Sequence, residues 1–170
     1  MRHAVKAALT LSVMLVLGMA CYALSPEIVA GVSVLGTIQL AVSTRNAQLD
    51  AIETDTGTSA KLQIYSGSMP ASCAAAATGT KLAEYALASD WAANASAGAK
   101  AFNNLTLTTT GLAGGTAGYF RLVKSDGTTC TMQGTITQTG GGGDMTLDNT
   151  SIAVNQTVNV TSFTITAGNA

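Results

Sequence analysis

The sequence predicts an all-β fold: a single antiparallel β-sandwich of about seven short strands, preceded by a short helix and an apolar N-terminal segment. Three observations carry this. From Lys61 onward, apolar and polar residues alternate in short runs separated by Gly, Asn, Asp and Ser. Turn residues recur at intervals of about 8–12 residues, the spacing of a sandwich. The third is a hairpin signal within Ala117–Leu147, where two alternating runs flank Ser125-Asp126-Gly127 and a glycine run, Gly140–Gly143, follows.

Residues 1–35 form a leader-like or anchoring apolar segment. Arg2 and Lys6 precede the uninterrupted apolar or small run Ala7–Ala20, and small residues at Gly18/Ala20 and Cys21/Ala23 suit a signal peptidase. The run up to Leu24 approaches the roughly 17-residue minimum of a membrane span. A cleaved leader, an anchor, and upstream coding sequence ahead of the true start all fit it. Residues 36–60 read as an arm and a short helix. Ser43 or Thr44 can cap that helix, Ala47, Leu49, Ala51 and Ile52 are its apolar positions, and Thr54–Gly57 stops it. So short a helix must dock, on its own sandwich or on a neighbouring subunit.

Residues 61–170 form the sandwich. Leu62 and Ile64 alternate with Lys61, Gln63 and Tyr65 in the first strand, and Lys81–Leu87 is the second. Pro70–Gly79 between them is a loop carrying Cys73. Ala88–Gly98, with Trp91, reads as a loop or a single helical turn, and Phe102–Thr109 as a strand with Leu105 and Leu107 on one face. Short pieces follow the hairpin at Met145/Leu147 and Ile152/Val154. In the last strand, Gln156–Thr166, Val158 and Val160 keep one parity while Phe163 and Ile165 take the other, so Thr161-Ser162 must be a bulge or bend.

The hairpin register follows from parity. A two-residue turn at Asp126-Gly127 would pair Leu122 with Thr131, mixing the core and wet faces, which a strand period of two forbids. A three-residue loop with Gly127 as a left-handed bulge pairs Leu122 with Cys130 and Phe120 with Met132. That register sends Cys130 inward. It leaves Tyr119, Arg121, Thr131 and Gln133 as an exposed face for a neighbour.

Composition narrows function by exclusion. Charged residues are 10% and aromatic residues 5%, against roughly 25% charged in ordinary globular chains. A net charge of -1, with Lys and Arg scattered, gives no footprint for nucleic acid. The sole histidine is His3, so the body of the chain offers neither a Ser-His or Cys-His nucleophile nor a His metal site. No catalytic residue, metal ligand or cofactor is expected. Asp144 and Asp148 supply too few oxygens for calcium, and the glycine run lacks the Lys-Ser/Thr of a phosphate loop. Cys73 and Cys130 are either a disulfide or two buried thiols, and the sequence leaves that open.

Four pieces in order carry a resemblance: TIQLAVSTRNAQLDAIETDTGTSAKLQIYSG, PASCAAAATGTKLAEYAL, GTAGYFRLVKSDGTTC and MQGTITQTGGGGDMTLDNTSIAVNQTVNVTSFTITAGNA. From about Gly36 to the end, the chain resembles a family of small structural proteins of tailed bacteriophages, whose members begin near the TIQL piece. The resemblance implies a non-enzymatic virion component, foremost a decoration or cement protein on the outside of the head. Its partners would be other virion proteins, above all the major capsid protein, with self-association in the particle. A tail- or fibre-associated part is the near alternative. The apolar stretch with Ile28, Val32, Val34, Leu35, Ile38 and Leu40 would be the arm that lies on the partner. The competing reading is an exported bacterial envelope module, an adhesin or pilus-like sandwich, secreted or held at a membrane through Met1–Ala23.

Overall fold

The computed structural model describes residues 39–103 and 107–168. Among them one helix, α1 (Val42–Thr56), precedes nine strands. These are β1 (Lys61–Ser66), β2 (Lys81–Ala86), β3 (Ala99–Ala101), β4 (Thr108–Thr110), β5 (Gly115–Val123), β6 (Cys130–Gln138), β7 (Met145–Leu147), β8 (Ser151–Ile152) and β9 (Thr157–Thr166). They form one sheet in the order β2-β1-β5-β6-β7-β9-β3, with β4 paired to β9 and β8 to β5. The strand expected over 102–109 is divided: β3 ends at Ala101, Phe102 makes only an isolated bridge to Ala92, and β4 begins at Thr108. Ala88–Gly98 contains no helical turn; Ala97 and Gly98, at φ 54° and 77°, form a tight turn with reciprocal bonds between Ser96 and Ala99.

The expectation of an all-antiparallel sheet is corrected at one place. β6 and β7 run parallel, with Ile136 opposite Met145 and Gln138 opposite Leu147. Parallel neighbours usually need a crossover of about a dozen residues or more. Here residues 139–144 suffice, because the glycine run folds flat along β6. Gly140 and Gly142 take φ of 87° and 76°, Gly141 N–H donates to Gln138 O and Gly143 N–H to Thr137 Oγ1, both at 2.9 Å. A Cβ on Gly141 or Gly143 would come within 2.7 or 2.9 Å of Thr137. The glycines permit this close approach.

The sheet curls round a single core. Leu62 and Ile64 of β1, Phe120 and Leu122 of β5, Met145 and Leu147 of β7, and Val158, Val160 and Phe163 of β9 are all buried. Each such side chain contributes roughly 1.5–3 kcal/mol relative to exposure. Phe120 meets Phe163 edge to face at 5.3 Å. The curl brings the far end of the path back to β2: Leu112 N–H donates to Leu82 O at 2.7 Å, Thr109 Oγ1 to Glu84 O at 2.9 Å, and Tyr85 Oη to Val158 O at 3.0 Å. The parity slip in β9 is a bulge at Thr161, since Thr146 faces Ser162 while Leu147 faces Val160.

The hairpin loop is longer than the three residues expected. Lys124 N–H bonds Thr129 O, and a turn from Lys124 O to Gly127 N–H closes the tip. Val123 then faces Cys130, but Leu122 faces Met132 and Phe120 faces Gly134, so Thr131 is an extra residue in β6. This bulge restores core parity for Met132 and reverses Cys130, which shares the face of Val123 and Arg121 instead of turning inward.

Helix α1 docks on its own β body. Its N-terminal position is Ala41 with no side-chain cap, so Ser43 and Thr44 lie inside the first turn, while Gly57 at φ 76° ends it. Ala47 and Ala51 are exposed; Leu49 is buried. The contacts are mainly polar because α1 meets backbone that no strand pairs. Glu53 Oε1, Asp50 Oδ1 and Asn46 Oδ1 accept from the N–H groups of Ala92, Ala95 and Gly98 at 3.3, 2.9 and 2.9 Å. An apolar stripe could not satisfy those donors. Of the candidate arm, Ile28, Val32, Val34, Leu35 and Ile38 lie outside the described residues, and Leu40 is half-buried.

Candidate functional site

The residues singled out on the hairpin converge on one face of the sheet, the face opposite the core. Register places Gln63 of β1, Arg121 of β5 and Gln133 of β6 in one cross-strand row, with Tyr65 and Tyr119 in the next. Tyr65 and Tyr119 stack at 5.3 Å between ring centroids. Alternation alone makes this face polar and suggests a wet surface. The structure corrects that: Tyr119 is 0% and Arg121 4% exposed, and Thr131 and Gln133 are half-buried.

The cover is the loop 67–80, and the polar side chains beneath it satisfy its backbone. Tyr119 Oη accepts from Thr78 N–H at 2.9 Å and donates to Thr78 O at 2.6 Å. Arg121 Nη2 donates to Cys73 O at 2.5 Å, and Gln133 Nε2 to Pro70 O at 2.7 Å. A disulfide joins Cys73 to Cys130 with Cα atoms 5.3 Å apart, fixing the loop to the start of β6. Thr131, the bulge residue, points elsewhere: its Oγ1 lies 2.9 Å from Thr56 Oγ1 at the end of α1. Sequence reasoning missed the cover because nothing in PASCAAAATG says on which face it lies; only the pairing of Cys73 with Cys130, had it been known, would have placed it.

Between the loop and the sheet lies a cleft of about 380 Å³, lined by Gln63, Tyr65, Cys73–Ala77, Arg121, Val123, Gly127 and Thr128. Gln63 is fully engaged there: its amide donates to Glu84 Oε2 at 2.9 Å and Gly127 O at 3.0 Å, and accepts from Tyr65 Oη at 3.0 Å. Burial, opposed by the nearby cations, pushes the Tyr65 hydroxyl above its ordinary pKa, so it stays a neutral donor. Glu84 binds Lys81 at 2.6 Å and Lys61 at 3.9 Å. Its carboxyl is held below its ordinary pKa: burial would raise it, and the bonds from Lys81 and Gln63 outweigh burial.

Elsewhere the titratable groups serve the fold. Lys100, whose side chain is 1% exposed, binds Asp50 and Glu53 of α1 at 2.9 Å each. Asp144 Oδ2 accepts from Thr135 N–H and Oγ1 across the 139–144 loop, and Asp148 accepts from Asn149 N–H and from Asn159 of β9. Among the described residues no group of three or more His, Cys, Asp or Glu is placed to hold a metal ion. No helix among them is long and apolar enough to cross a membrane. Comparison with family models, curated proteins and solved structures finds no match to this chain.

Proposed function

We propose that the chain is a non-enzymatic structural component of a bacteriophage virion, foremost a decoration protein bound to the outside of the head. The carrying observation is the ordered block of sequence from about Gly36 to the end that resembles small phage structural proteins. The architecture suits the role: a curled sheet whose outer face is partly covered by a disulfide-tied loop and whose helix is bonded to its own body makes a rigid unit. At finer resolution, we read the curled sheet as a sandwich, with β2-β1-β5-β6 packed across the core on β7-β9-β4, Phe120 against Phe163. The partner would be the major capsid protein, met by the segment before α1.

Cryo-electron microscopy of purified particles tests this. The chain should occupy regular sites on the outer head surface; density on the tail would move it to the tail- or fibre-associated alternative, and absence from particles would overturn the reading. Deleting residues 1–40 keeps α1 and the whole sheet, and should abolish capsid binding; unchanged occupancy refutes the arm. One observation favours a second reading. The Cys73–Cys130 disulfide fits an oxidising compartment, as for an exported envelope module. A mature mass beginning after Ala20, Ala23 or Ala30 would favour export.

A further inference from the structure

Arg121 is a buried cation without a counter-ion among the described residues. Among the described residues it makes one side-chain hydrogen bond, to Cys73 O, and no ion pair, although it is only 4% exposed. Its Nε–H is buried without a partner. A guanidinium taken out of water and left unpaired is costly, and orphaned buried donors are few in native proteins. Among the described residues the ion pairs all belong to other side chains. The carboxylates near the cleft are committed: Glu84 to Lys81, Lys61 and Gln63, and Asp126 to Thr128 and Thr129. Lys61, Lys81 and Arg121 against Glu84 and Asp126 leave the neighbourhood net positive, and Lys61 Nζ lies 3.3 Å from where a Cβ on Gly127 would sit, at the cleft's edge.

We propose that this cleft is a carboxylate-binding site, with Arg121 as its anchor and the backbone of Cys73–Ala77 as its rim. The planar fork of an arginine suits a carboxylate, which accepts from adjacent N–H groups at once. Tyr65 lines the cleft and is backed by its stack on Tyr119. The disulfide holds the rim at a fixed distance from the guanidinium. A free small organic acid and an acidic side chain on a neighbouring protein present the same group.

The test is a titration of the isotope-labelled full chain, read at the Arg121 Nε–H resonance and the Ala74–Ala77 amides. Sodium acetate should shift these signals saturably, and sodium chloride at equal ionic strength should not. Arg121→Gln should weaken acetate binding more than tenfold. If that variant does not fold, Lys61→Gln, on the rim, should weaken it about two- to threefold through lost attraction. A short glutamate-containing peptide, compared with its glutamine counterpart, separates the sources: glutamate-dependent binding tighter than acetate points to a protein carboxylate, and equal binding to a free acid. No shift beyond the chloride control would overturn the proposal. A response to inorganic phosphate but not acetate would overturn the carboxylate class.

Discussion

Gly134 of β6 lies directly opposite Phe120 of β5, and the Phe120 ring fills the space a side chain at 134 would take. A Cβ there would come 2.7 Å from Phe120 Cε1 and 3.1 Å from Asp144 Cβ. The ring cannot retreat, because Phe163 meets it edge-on from β9. Gly134→Ala should therefore cost about 1–3 kcal/mol and Gly134→Val more, as overpacking does. Urea unfolding should show a lower midpoint at unchanged slope. Gly168→Ala, with open space around it, is the control and should fall within about 0.5 kcal/mol of the parent.

The Cys73–Cys130 bond closes a loop with a sequence separation of 57. On the chain-entropy account, a closure of that size stabilises by about 4 kcal/mol. The Cys73→Ser/Cys130→Ser chain should lose most of that in denaturant unfolding. Hydrogen exchange should rise first in residues 67–80, because the bonds to Tyr119, Arg121 and Gln133 then hold the loop alone. Alkylation of the unfolded chain without a reductant would contradict the bond.

Lys100 ties β3 to α1 through Asp50, Glu53 and Ala93 O. Burial would depress its ammonium, but the hydrogen bonds it donates to Glu53 and Asp50 outweigh burial, and its pKa is raised above 10.5. A raised folded value means stabilisation that is fully present below the unfolded pKa and lost as pH rises through the folded one. Loss of helical signal, read by circular dichroism, should therefore begin above about pH 10.5. Lys100→Met should cost about 1–3 kcal/mol, less than a fully buried pair because Asp50 and Glu53 are 40% and 20% exposed. A double-mutant cycle with Glu53→Gln that returned no coupling would remove Lys100 from this role.

What could be read from sequence divides along a physical line. Strand positions and faces were legible at β1, β5 and β9 because Leu62/Ile64, Phe120/Leu122 and Val158/Val160 alternate under one core, and the Thr161 bulge followed from a parity slip. The parallel β6–β7 pair was not, since the glycines that permit it act by what they lack against Thr137. Nor was the docking of α1: Asn46, Asp50 and Glu53 look solvent-facing until the unpaired N–H groups of the 92–98 segment are known. The same holds for Tyr119 and Arg121, which resemble a wet face and serve as bonding partners for a covering loop. Period reports which residues share a face, never what lies over it.

Asp126 sets the hairpin turn and can be titrated directly. Its Oδ2 accepts from Thr129 Oγ1 at 2.5 Å, and its Oδ1 from the N–H groups of Thr128 and Thr129 at 2.8 Å each. These bonds, that of the Thr129 hydroxyl first, hold the carboxyl at about 2 against an ordinary 3.8. A depressed folded value gives stabilisation present above the unfolded pKa and lost as pH falls through about 2. Carboxyl resonances of Asp126 should therefore titrate well below the ordinary carboxylate range. Thr129→Val removes the hydroxyl donor but keeps both N–H groups, so its Asp126 should titrate between about 2 and 3.8 with the turn intact. An unshifted value in that variant would assign the depression to the backbone donors alone, and a parent value near 3.8 would show that the turn does not hold its carboxylate in solution.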